Sequence, residues 1–327
     1  MSAQPHDAYV KATFSKVRNA RGELRAALPP SVRALVDWRT LKVETGSFVD
    51  ATLRSRFTDL LFSARIAGRD ARIYMLFEHQ STHDPLLVFR VLAYEVRVWE
   101  AWLARHPRAK RLPPIVPVVL AQVRGKWRAS KLFIELIQFA DAAEREALTP
   151  FMPRLEVRVD DLALLGDEQL RARAMSAGAK LALASLREMR RRRAPDAIER
   201  RLGPWVGSIP ATREGTDDLR AFAQYIWAAR PEMTKARLGR LVARGAPRGE
   251  DVVMTTARQL LAKGKAEGKA EGRREALAEM LIKLLTRRFG KVPERMREKI
   301  IAADARTLAR WGERVLTAPS LAAVLDD

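Results

Sequence analysis

Residues 57–81 read FTDLLFSARIAGRDARIYMLFEHQS, two apolar runs separated by a glycine turn, and this pattern constrains the fold more than any other in the chain. Period-two alternation places Phe57, Asp59 and Leu61 on one face of a first strand. It places Tyr74, Leu76, Glu78 and Gln80 on one face of a second. Ala67-Gly68-Arg69-Asp70 joins them, with Gly68 suited to the first central position of a type II′ turn. If Ala67 pairs with Asp70, Asp59 stands directly opposite Glu78. Like charges so placed destabilise a sheet unless a proton or a cation lies between them. A divalent ion held by two carboxylates, a backbone carbonyl and waters fits Mg²⁺, which retains water for chemistry. Gln80, one pleat further on, could orient such a water or a phosphate oxygen. Two alternatives stay open: acids solvated at strand ends, or a longer turn that slips the register.

The flanking elements extend the pattern. Residues 6–28 have helical apolar spacing, with a break expected near Gly22 and an end at Pro29-Pro30. A short strand is expected around Leu41–Val43. After Pro85, LLVFRVLAYEVRVWEAWLARH makes a long helix, and PPIVPVVLAQV a buried strand. The order is α-β-β-β-α-β, with an extended segment within 153–161 and a largely helical remainder from Asp167. This reading divides the chain into a core at 1–165, a helical extension at 166–260, and a glycine-repeat linker with a small helical domain at 261–327.

Lys and Arg number 60 against 39 Asp and Glu, a formal charge of +21, so polyanions are the expected partners, DNA first and anionic lipid second. There is no cysteine, which excludes disulfides, thiolate metal sites and cysteine nucleophiles. The N-terminal stretch has no apolar signal core, and the longest apolar run is short and broken by prolines. A cytoplasmic protein without a membrane partner is expected. GKAEGKAEG and the amphipathic helix after it suggest a homodimer. Four arginines at 190–193 either contact phosphate or complement a helix C-terminus. The tryptophans read as packing anchors. His79 and His83 have zinc-like spacing but straddle a strand end, where they do not share a face.

The stretches HDAYVKATF, TLKVETGSFVDATLRSRFTDLLFS, IYMLFEHQSTHDPLLVFRVLAYEV, LPPIVPVVL and VDDLALLGDEQL resemble the Rpn, or YhgA-like, family of recombination-promoting nucleases and transposases, a branch of the PD-(D/E)xK superfamily. The resemblance covers roughly the first 190 residues. It implies an α/β (α+β) restriction-endonuclease-like αβββαβ core and a DNA endonuclease using Mg²⁺ or Mn²⁺. Asp59 matches the superfamily's catalytic aspartate and Glu78 the acid of its (D/E)xK element. Gln80 replaces the lysine of many relatives, and the His79 carbonyl would be a further metal ligand. His6 and Asp7 match the family pattern on the first helix, where they either approach the site or cap the helix. Arg90 and Tyr94, one turn apart, either face the site or, for Tyr94, pack in the core. Where the family continues its fourth strand into Tyr-His-Gly, this chain has Ala121-Gln122-Val123. The competing reading is a degenerate relative that binds DNA or a protein without cutting. A third is a basic scaffold on membranes.

Overall fold

The computed structural model describes residues 5–44, 58–78, 84–123, 127–191, 193–245 and 272–325. Backbone contacts divide the chain into two compact units, residues 1–256 and 257–327. The first is a mixed α/β structure built on a five-stranded sheet of order β1-β2-β3-β4-β5: Val36–Val43, Thr58–Ile66, Arg69–Glu78, Ile115–Ala121 and Arg158–Asp161. β1, β2 and β3 are antiparallel neighbours, whereas β4 and β5 run parallel to β3. The long helix α4, Leu87–Arg105, makes the crossover from β3 to β4 that a parallel pair requires.

The two sheet faces have separate cores. Leu60, Phe62, Ile73, Met75, Val118 and Leu120 occupy the first face and share one core with α1 (Pro5–Phe14), α2 (Val17–Ala27), α7 (Ala177–Met189), α8 (Pro195–Gly207), α9 (Arg213–Ala229) and α10 (Lys235–Gly245). Leu61, Tyr74, Val119 and Ala121 occupy the second face, beneath Leu87, Val88, Val91, Tyr94 and Val98 of α4. Burial on both faces explains why β4 reads as a continuous apolar run rather than an alternating one.

Two expectations are corrected. The break in the first helical stretch lies at Ser15-Lys16 instead of Gly22, and the Asn19 amide bonds back to the Thr13 carbonyl at 3.0 Å across it. Gly22 is inside α2 because Met175 packs so closely that a Cβ there would lie 2.3 Å from the Met175 Cβ. The hairpin turn is also shifted. Ala67 and Gly68 are both at positive φ, 48° and 76°, so they are the two central residues of a type I′ loop closed by Ile66 and Arg69. An L-residue in the left-handed region costs about 1 kcal/mol. The Ala67 amide offsets that by donating to the Leu35 carbonyl at 2.9 Å, and Ile66 and Arg69 both gain places in the ladder.

The second unit has its own core. A helix over 272–289, with Glu294–Ala302, Ala305–Arg314 and Leu321–Leu325, encloses Leu281, Leu285, Ile300 and Trp311. No helix among the described residues is long and apolar enough to cross a membrane.

Candidate functional site

The hairpin register places the two acids. Asp59 pairs with Leu76, so Glu78, two residues further along β3, is its diagonal neighbour instead of its direct partner. A slide of two residues preserves the face on which each position falls. Asp59 and Glu78 therefore share the second sheet face, and Glu78 pairs on its other side with Ala121 of β4. Diagonal positions across an antiparallel pair lie about 7–8 Å apart. His79, Gln80 and His83 lie outside the described residues, as does the glycine repeat at 264–271.

α4 closes this face. The ring of Tyr94 stacks on that of Tyr74, with centroids 3.9 Å apart and planes 11° from parallel. From Tyr74, Glu78 is four residues, about 13 Å, along the strand. From Tyr94, the first turn of α4 is about 10 Å along the helix in the same direction, because the helix returns antiparallel to the strand. The helix N-terminus and the acids thus lie toward one end of the sheet. Arg90 is held there by Asp84, 2.5 Å from its guanidinium, and the other Asp84 oxygen accepts from the Leu86 amide. Tyr94 is buried in the packing layer, the second of its two expected roles.

His6 and Asp7 belong to α1, which packs on the opposite sheet face. They stand in its first turn rather than at a cap position before it. His6 Nδ1 lies 2.8 Å from the Tyr225 hydroxyl, and Tyr225 stacks on Tyr9 at 4.3 Å. Burial pushes both phenols well above the usual tyrosine range. Gln122 is buried beside them and donates to the Leu186 carbonyl, a packing amide between the end of β4 and α7. The last arginine of the run is drawn inward. Arg193 lies 3.1 Å from the fully buried Glu188, and the Arg191 carbonyl accepts from Arg230 at 2.8 Å.

Two further acids escape sequence reasoning. Asp161 stands next to Ala121 and so in the same row as Glu78, but its carboxylate accepts from the amides of Trp127 (2.8 Å) and Ala163 (2.9 Å). Those bonds assign it to the loop. Glu95, on the inner side of α4, is 3% exposed, and burial pushes its carboxyl up to about 7. One charged residue inside an apolar helical stripe is the signal that could have found it. The neutral form persists longer in the folded than in the unfolded chain, so the penalty is absent below about pH 4.5, grows up to pH 7 and is full above. The stability difference between the wild type and Glu95→Gln, measured by urea unfolding, should therefore shift in the variant's favour by about 3 kcal/mol from pH 4.5 to pH 8.

Residues 4–202 match the model of the family described as "Putative transposase, YhgA-like". The chain belongs to this family. It is similar to recombination-promoting nuclease RpnC of Escherichia coli (strain K12), with 30% identity over 161 residues, which are 48% of this chain and 52% of the relative. Recombination-promoting nuclease RpnA of the same strain is 38% identical over 120 residues, 36% of this chain and 40% of the relative. The inactive recombination-promoting nuclease-like protein RpnE, also from that strain, is 32% identical over 120 residues, 36% of this chain and 39% of the relative. The chain thus spans about half or less of these relatives' length. No solved structure matches it.

Proposed function

We propose that the chain is a metal-dependent DNA endonuclease with a restriction-endonuclease-like PD-(D/E)xK core, acting in recombination or on mobile elements. The observation that carries this reading is the register, which makes Asp59 and Glu78 diagonal neighbours on one sheet face. The names of its relatives and its charge of +21 support a DNA substrate.

Two carboxylate positions at this spacing fit a hard cation with oxygen ligands, Mg²⁺ or Mn²⁺. Such an ion, when bound, polarises a phosphoryl oxygen and lowers the pKa of a coordinated water. Asp59 and Glu78 would hold it, with the His79 carbonyl as a third donor by family resemblance. Gln80 would orient the attacking water or a phosphate oxygen through its amide, without the positive charge that a lysine would bring to developing anionic charge. Arg90, fixed by Asp84 at the start of α4, and the positive end of that helix receive the DNA phosphate. The division into a nuclease core at 1–165, a helical extension at 166–260 and a C-terminal domain after the glycine repeat goes with this reading, as does action in the cytoplasm.

A second reading is favoured by one observation, the inactive label carried by RpnE: a degenerate relative that binds DNA without cutting it. A plasmid-nicking assay on the full chain separates the two. Supercoiled DNA should be nicked in Mg²⁺, and EDTA should stop the reaction. Retention of DNA without nicking, in either Mg²⁺ or Mn²⁺, would leave only the binding reading.

A further inference from the structure

α4 has a second apolar stripe on the side away from the sheet. Leu86, Phe89, Ala93, Val96, Glu100 and Leu103 follow one another in alternating steps of three and four, the spacing of a coiled-coil seam. The four large apolar members are 53% (Leu86), 52% (Phe89), 41% (Val96) and 39% (Leu103) exposed. Single exposed apolar residues are ordinary on a protein surface, but a row about 26 Å long on one helix is not. The inner stripe, through Leu87, Val91, Tyr94 and Val98, is already occupied by the sheet.

We propose that this outer face pairs with α4 of a second copy of the chain, antiparallel, about a two-fold axis passing between the levels of Ala93 and Val96. The two-fold self-complementarity of the row selects the occupant, and charge selects the direction. Glu100 is the charged member of the row, and Arg90 and Arg97 flank the row on one side, with Arg97 2.9 Å from Glu100. A parallel pair would set the two glutamates against each other across an apolar seam. In the antiparallel pair each Glu100 meets the partner's Phe89 and keeps its own Arg97 beside it. Ala93 meets the partner's Val96, small against branched, and Leu86 meets the partner's Leu103. The row is self-complementary under a two-fold rotation, which is the requirement for an isologous interface. One helix pair buries less than the roughly 800 Å² per partner of a standard interface, so the dimer should dissociate in the micromolar range.

Sedimentation equilibrium on the full chain, freed of DNA, tests this between about 1 and about 100 µM, where a micromolar dimer changes from mostly dissociated to mostly associated. The wild type should dimerise with concentration. Val96→Glu should remain monomeric with an unchanged far-UV circular dichroism spectrum. Glu100→Leu should associate at least about tenfold more tightly, because it replaces a charge in an apolar seam. The chain has no cysteine, so a nitroxide on Ala104→Cys reports direction. Labels should lie about 30 Å apart in the antiparallel pair and roughly 10–15 Å apart in a parallel one. A monomer at every concentration, a dimer indifferent to Val96→Glu, or the short label distance overturns the proposal.

Discussion

Asp59→Asn should lose at least about 10²–10³-fold of the Mg²⁺-dependent nicking rate while retaining DNA, a loss comparable to that of one electrostatic stabiliser of a transition state. The amide keeps the shape of the side chain and removes the charge. Because Glu78 is the diagonal neighbour of Asp59 on the same face, Glu78→Gln should lose activity to a similar degree. The double variant should be little worse than either single one, since residues that act as a unit are not additive. Asp161→Asn is the control. Asp161 lies in the row of Glu78, but its oxygens are committed to the amides of Trp127 and Ala163, so its loss should lower stability and leave nicking largely intact. Nicking by Asp59→Asn at the wild-type rate would move the chemistry elsewhere.

Arg173→Met should destabilise the first unit by about 3–5 kcal/mol, the range for stranding one half of a buried ion pair. Arg173 grips Asp160 at the end of β5 with two bonds, 2.5 and 2.7 Å, and reaches Glu23 of α2 at 3.2 Å. Burial alone would raise the Asp160 carboxyl, but the hydrogen bonds it receives, from Arg173 first, hold it below the usual range. Glu23 is fully buried, and burial together with the neighbouring Asp160 pushes it well above the carboxylate range. Without the guanidinium, a buried carboxylate is left beside an acid. Replacing Asp160 by Asn as well should recover most of the loss, because no uncompensated charge remains. Urea unfolding followed by far-UV circular dichroism compares the single and double variants. Equal midpoints for the two would show that packing by the arginine stem, and not its charge, sets the stability.

The hairpin, the buried β4 and the long α4 were legible because each leaves a periodic trace: alternation at 57–81, an unbroken apolar run at 115–121, and a helical stripe from Leu87 to Val98. The hairpin register was not. A slide of two residues leaves alternation untouched, so sequence periodicity cannot distinguish Asp59 opposite Leu76 from Asp59 opposite Glu78. What accompanies the observed register is a long-range bond, from the Ala67 amide to the Leu35 carbonyl. The acids themselves were conspicuous as charges embedded in apolar runs. Partners distant in sequence left no such trace: Glu23 with Arg173, Glu188 with Arg201, and Gln122 with the Leu186 carbonyl depend on how the helices settle on the first sheet face. The Ser15-Lys16 break was obscured by Gly22, a more obvious helix breaker whose purpose is to admit Met175.

Binding of Mn²⁺ by the full chain, read from the loss of the free-ion electron paramagnetic resonance signal, tests most directly whether Asp59 and Glu78 hold one cation between them. One ion per chain should bind to the wild type and be lost from both Asp59→Asn and Glu78→Gln. Wild-type affinity in either single variant would contradict a shared site.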